Sequence, residues 1–269
     1  MPLDSLVFSS RTVRGLAFFS LVACAVLALL LPSRSELSAQ APVGAREPMK
    51  HECRRASGPI ALDGKGDEEA WKGAEVIDDF ILNWQRDNPR KAKTATRARL
   101  LWDDEYLYFL AEMDDVDLFA DEKTRDGTTW DNDVFELFFK PAADKLGYYE
   151  FQVNAAGTIF DMYFPSRGSG GVRRFKNADG INVEAQVALR GTLNHWQDDD
   201  QGWTVEGRIA WKDLKYTGGR PAAGDRWKFA LCRYDYSKAF ESPELSSCAR
   251  LNWLNFHQYE DYSTLEFKK

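Results

Sequence analysis

Trp130 stands between a polar stretch, Arg125-Asp126-Gly127-Thr128-Thr129, and the start of an alternating run, Asp133-Val134-Phe135-Glu136-Leu137-Phe138. An indole at such a junction can stand clear of a core and offer a flat apolar face. Within the run, Glu136 alternates with Val134 and Phe138, which sets a carboxylate on an otherwise apolar face and calls for a partner. Gln152 and Asn154 share a face with Glu150 on the later run Tyr148 to Asn154, and pairing of the two runs would gather these polar ends beside Trp130. An aromatic plane flanked by groups that both donate and accept hydrogen bonds suits a pyranose ring, whose C–H faces are apolar and whose rim is hydroxylated. Glu136 and Glu150 could in principle act as the acid and base of a glycosidase, but nothing in the sequence marks them as such a pair. There is no G-x-S-x-G elbow, no phosphate-cradling glycine loop and no H-E-x-x-H.

Other chemistry-bearing residues point less sharply. Asp114, Asp115 and Asp117, and the run Asp198-Asp199-Asp200, could give carboxylate oxygens to a structural calcium ion, although neither has helix-loop-helix calcium spacing and solvated turns are the better reading. Cys53, Cys232 and Cys248 lack the close spacing of a zinc site. In an oxidising compartment one pair and one leftover thiol is expected, with Cys232–Cys248 favoured and Cys53 able to replace either. A formal charge of -7 argues against a nucleic-acid partner, which requires a basic face.

The elements that must position these residues are strands. Arg11 and Arg14 precede an apolar run from Leu16 to Leu31 closed by Pro32, the layout of an export signal, so residues 1–41 are expected to direct the chain to the periplasm, cell envelope or exterior. Membrane association is expected only if that segment is retained, or lipidated at Cys24, where Leu21-Val22-Ala23-Cys24 is similar to a lipoprotein box. Residues 42–58 read as a linker and 59–269 as one domain. Alternating runs at Thr94 to Trp102, Tyr106 to Met113, Asp133 to Lys140, Tyr148 to Asn154, Thr158 to Phe164, Ile181 to Leu189, Trp203 to Ile209, Trp227 to Tyr236 and Ser263 to Phe267 predict strands. Pro165 to Gly180 reads as a glycine-rich basic loop. The expected fold is all-β, an antiparallel, jelly-roll-like sandwich of two stacked sheets.

In order along the chain, Ile60-Ala61-Leu62-Asp63-Gly64 with Glu69-Ala70-Trp71, Ala98-Arg99-Leu100-Leu101-Trp102-Asp103-Asp104, Trp130 to Phe138, Tyr148 to Asn154, Thr204 to Trp211 and Tyr262 to Phe267 together resemble the family 9 carbohydrate-binding modules and their exported relatives. The resemblance implies a non-catalytic sandwich that holds a sugar, often a glycan chain end, between aromatic side chains. It also implies association with xylan- or cellulose-degrading glycoside hydrolases and, in some members, structural calcium. On that pattern Trp130 is a sugar-stacking tryptophan and Glu136, Gln152 and Asn154 are binding residues. Cys248 falls where a second stacking tryptophan is expected; Trp253 could take its place, with Arg250 and His257 supplying hydrogen bonds. An alternative from another class is a haem-binding electron-transfer sandwich, with Met113, Met162 and His257 as the available axial ligands.

Overall fold

The computed structural model describes residues 47–85, 88–141, 143–168 and 181–269; the expected export segment, Cys24, the linker as far as residue 46 and residues 169–180 of the expected loop lie outside them. The strands are β1 (Lys50–Arg55), β2 (Thr96–Trp102), β3 (Tyr106–Met113), β4 (Val134–Lys140), β5 (Tyr148–Asn154), β6 (Ile159–Phe164), β7 (Val183–Arg190), β8 (Gly202–Ala210), β9 (Arg226–Asp235), β10 (Glu244–Ser247) and β11 (Ser263–Phe267). Short 3-10 turns are the helical content of the described residues, and none of their helices is long and apolar enough to cross a membrane. The expected β2–β3 hairpin pairs Thr96 with Met113 through Trp102 with Leu107, and the Asp103 carboxylate holds its turn by accepting from the Glu105 and Tyr106 amides at 2.7 and 2.8 Å.

Hydrogen bonding joins the strands into one sheet of order β6-β5-β4-β9-β11-β1-β2-β3-β8-β7, with β10 beside β9, in place of the two separate sheets expected. The joint is β1, whose first residues pair with β11 and whose Arg54 and Arg55 pair with β2, both in parallel, so the sheet is not purely antiparallel either. β1 lies in the segment read as a linker, and the domain therefore reaches beyond residue 59. Its sequence Lys-His-Glu-Cys-Arg-Arg buries His51 and Cys53 alone, too little apolar alternation to register as a strand.

Alternation sorts the side chains of each strand between two faces. Phe135, Leu137 and Phe139 of β4, Tyr149, Phe151 and Val153 of β5, and Phe229 and Leu231 of β9 join Leu100, Trp102, Leu107, Phe109 and Val205 from the other half of the sheet in the main core. The Ala61-Leu62-Asp63-Gly64 segment is clipped to this framework by Glu206 of β8, which is buried and accepts from the Asp63 and Gly64 amides, both at 3.1 Å, and from Trp71 Nε1 at 2.8 Å. Gly64 sits at φ +81 with the backbone of Val187 and Ala188 3.0 Å from where a Cβ would stand, so a side chain there would be both strained and crowded.

The cysteines do not pair: Cys53, Cys232 and Cys248 are free and buried. Cys232 registers opposite Ser247, which places Cys248 one residue further along. A one-residue step reverses the face, so Cys248 packs in the main core, where its Sγ accepts from the Leu231 amide at 3.2 Å, while Cys232 points to the opposite side of the sheet. Burial raises all three thiols above their ordinary pKa. Iodoacetamide should therefore leave them unmodified in the folded protein and alkylate all three after denaturation without reductant. Peptide mass mapping checks this, and a thiol still protected after unfolding would point to a disulfide.

Candidate functional site

The face of β6-β5-β4-β9 turned away from the main core carries a second cluster, with Phe138, Tyr148, Phe160, Met162, Phe164, Ala230 and Cys232 supplied by the strands. The chain between β10 and β11 adds Ala249, Leu251, Phe256 and Tyr262 to it. That covering segment is fixed by Tyr262 Oη donating to the Phe256 carbonyl at 2.5 Å and by Asn83 Nδ2 donating to the Leu251 carbonyl at 3.0 Å. A cavity of about 520 Å³ opens on this face. Its aromatic lining is Trp130, Phe138, Tyr148, Phe160, Phe164, Tyr234 and Phe256; its polar lining is Glu136, Glu150, Gln152, Arg167, Asn255 and His257. Trp130 is half-buried and meets Phe160 edge-on at 5.7 Å between ring centroids.

The register explains the convergence. Glu136 pairs with Gln152 and Phe138 with Glu150, so Glu136 and Glu150 are diagonal neighbours on the cavity face. Gln152 is held at both ends, donating from Nε2 to Glu150 at 2.6 Å and accepting from the Thr129 hydroxyl. Tyr148 Oη shares a hydrogen bond of 2.9 Å with His257 Nδ1. Glu136 is 2% exposed and has no hydrogen-bond partner among the described residues. Burial, and then the charge of Glu150, push its carboxyl well above the usual range. Burial raises Glu150 too, opposed by His257 and by its bond from Gln152.

A carboxyl raised in the folded state keeps a proton that the unfolded chain gives up at about pH 4.3, so its contribution to stability falls as pH rises above that value. Glu136→Gln should flatten the decline in thermal stability between pH 5 and pH 8, and at pH 8 it should stabilise the fold by roughly 1–3 kcal/mol, the scale of an unsatisfied buried group. Thermal melts across that range test this; a variant less stable than the wild type at pH 8 would show that the charge is well paired.

Of the residues expected from sequence, Trp130, Glu136, Gln152 and His257 meet in the cavity. Asn154 does not: its side chain is spent on the Glu122 carbonyl, on Asn132 and on the amides of Ala156 and Thr158, where it shapes the β5–β6 turn. Arg250 and Trp253 are absent from the lining; Trp253 is 60% exposed beside Leu254 and Asn255, which do line it. Cys248, buried in the main core, offers the cavity nothing. Sequence reasoning undervalued Glu150 and overlooked Tyr148, Phe138 and Phe160. Their shared face with Glu136 was legible from alternation, whereas their enclosure depends on a loop without periodicity.

Asp114, Asp115 and Asp117, the weaker candidates for calcium, are likewise not brought together. Asp114 pairs with Arg97 at 3.0 Å, and Asp117 accepts from the Lys238 amide at 2.7 Å. Asp115 instead joins Asp133 and Asp235, with one ligand atom from each within 4.8 Å of the others. The Arg233 guanidinium already bonds Asp115 at 3.0 Å and lies 3.3 Å from Asp235, so an internal cation serves this cluster. Burial, and then the charge of Asp235, leave Asp115 pushed up to about 7. Of the residues considered for haem, Met113 packs in the main core, on the face opposite the second cluster that holds Met162 and against which His257 packs.

The family description "Carbohydrate family 9 binding domain-like" matches residues 62–245. The chain is 32% identical over 172 residues to endo-1,4-beta-xylanase A of Thermotoga maritima, a match covering 60% of this chain and 14% of the xylanase. It is 25% identical over 173 residues to exoglucanase XynX of Acetivibrio thermocellus, covering 58% of this chain and 15% of that enzyme. The chain thus spans about one seventh of the length of these relatives. Among solved structures, a family 9 carbohydrate-binding module from Caldicellulosiruptor kristjanssonii in complex with cellotriose superposes with a TM-score of 0.56 at 18% identity, covering 81% of this chain and 93% of that one. A Bacteroides uniformis protein solved as a candidate carbohydrate-binding protein gives 0.64 at 16% identity, covering 82% and 100%. The chain belongs to the family 9 carbohydrate-binding modules, a family of non-catalytic binding domains.

Proposed function

We propose that this protein binds carbohydrate without transforming it, holding one end or unit of a cellulose- or xylan-type oligosaccharide in the Trp130 cavity in support of polysaccharide breakdown. The observation that carries this reading is the cavity itself, where aromatic faces for C–H stacking surround Glu136, Glu150 and Gln152, which can address hydroxyls. The cellotriose-bound module and the xylan- and glucan-degrading relatives support the ligand class. Glycoside hydrolases are the natural partners, delivering or receiving chain ends. The site of action is outside the cytoplasm, on the strength of Arg11, Arg14 and the apolar run that follows them. Titration calorimetry with gluco-, cello-, xylo- and manno-oligosaccharides tests the central claim. Saturable binding of at least one series is expected, and no heat or competition from any of them would refute it. Fractionation of expressing cells tests the location.

A further inference from the structure

We propose that the ligand this cavity favours is a sugar bearing a free, positively charged amine on its ring, with the ammonium seated between the carboxylates of Glu136 and Glu150. The inference rests on the carbohydrate-binding reading above and narrows it to amino sugars. It starts from an imbalance of charge. Glu136 is 2% exposed, has no hydrogen-bond partner among the described residues and lines the cavity, and the group diagonal to it is a second buried carboxylate. Two like charges in a largely buried site are costly unless something positive joins them.

Among the described residues His257 opposes the burial of Glu150, and no side chain does the same for Glu136. Arg167 is the one lysine or arginine among the described residues of the lining, and its guanidinium is committed to Glu260 at 2.6 and 2.9 Å and to Gln258 at 3.2 Å. His257 directs Nδ1 to Tyr148. From β9 the groups near Glu136 are Cys232 and Tyr234, and from β5 Gln152; all are neutral. Tyr262, from the covering segment, is neutral as well.

An alkylammonium answers each demand. It brings three N–H donors and a full charge to two acceptors, giving charge-assisted bonds that a hydroxyl at the same ring position cannot match. Trp130, Phe138 and Tyr148 line the same space, where a ring face turned to the ammonium adds cation–π attraction, and enclosure strengthens all of these terms. Burial favours the protonated form of both carboxyls, and an ammonium between them favours the ionised form, so any proton the pair holds is released to solvent when the ammonium enters.

Calorimetry on the whole protein at pH 7 and low salt, with cellobiose, the chitosan dimer and its N,N'-diacetyl form, tests the idea. The free-amine dimer should bind about tenfold tighter or more than either of the others, a gap that narrows with added salt. Its heat alone should vary with the ionisation enthalpy of the buffer, reporting the net change in bound protons, release from the carboxyls less uptake by the amine. Glu150→Gln should bring the amine-to-hydroxyl affinity ratio to within about threefold. Cellobiose binding as tightly as the chitosan dimer would overturn the amine proposal and leave carbohydrate binding standing. A failure of every sugar to bind would remove both, and binding of choline but of no amino sugar would overturn the proposal in favour of a simpler cation.

Discussion

Replacing Trp130 with alanine is expected to weaken binding of any oligosaccharide the protein holds by about a hundredfold or more, the scale on which a central tryptophan anchor acts. The backbone that presents the indole does not depend on it. The Trp130 carbonyl accepts from Tyr236 Oη at 2.9 Å, and the turn around it is closed by the Asp131 amide on Thr128 at 3.0 Å and the Asn132 amide on Thr129 at 3.2 Å. The main packing loss is the edge contact with Phe160. Stability should therefore fall by no more than roughly 1–2 kcal/mol, as for partial loss of a half-buried aromatic. Trp130→Phe, which keeps an apolar plane, should recover part of the affinity. Calorimetry paired with thermal melts separates the two effects, and an alanine variant that binds like the wild type would place the ligand elsewhere.

The largest loss of stability is expected from Glu206→Ala. One buried carboxylate satisfies three donors that are remote in sequence, and alanine strands the amides of Asp63 and Gly64 and the Trp71 indole N–H together. The Gly64 amide and the Trp71 indole are the buried donors of the three, and at about 1–3 kcal/mol per stranded buried group the variant should lose at least roughly 2 kcal/mol. Glu206→Gln, which keeps the volume and one good acceptor oxygen, should lose about half as much. Denaturant titrations should show the midpoint moving at constant m-value. Because Glu206 lies on β8 and the cavity on the β6-β5-β4-β9 part of the sheet, ligand affinity in the folded fraction should be unchanged.

What could be read from the sequence follows from what alternation encodes. Glu136 and Gln152 were legible because a polar residue repeated every second position on an apolar strand must face something specific, and the strands bearing them are long and regular; Trp130, in the turn before β4, was legible from its place between a polar stretch and that strand. Asn154 carried the same signal yet caps a turn; the signal places a residue on a face without saying which neighbour claims it. Cys232 and Cys248 were paired in expectation because adjacent strands bring them near. Register decides which face a side chain takes, and register arises from tertiary pairing. β1 and β10 escaped notice for the related reason that a strand of four to six residues joining others edge-on needs little apolar pattern of its own. Phe256 and His257 sit in a segment whose place over the cavity is set by packing on Tyr148, Phe138 and Phe164, contacts between parts of the chain far apart in sequence.

The seam formed by β1 has a kinetic consequence. Its partner β11 emerges from the ribosome roughly two hundred residues later, and until then β1 lacks the neighbour that ties one half of the sheet to the other. Such long-range closure costs chain entropy before any hydrogen bond rewards it, so the domain should fold late and slowly, after synthesis of the whole segment, with both edges of the seam exposed in the interval.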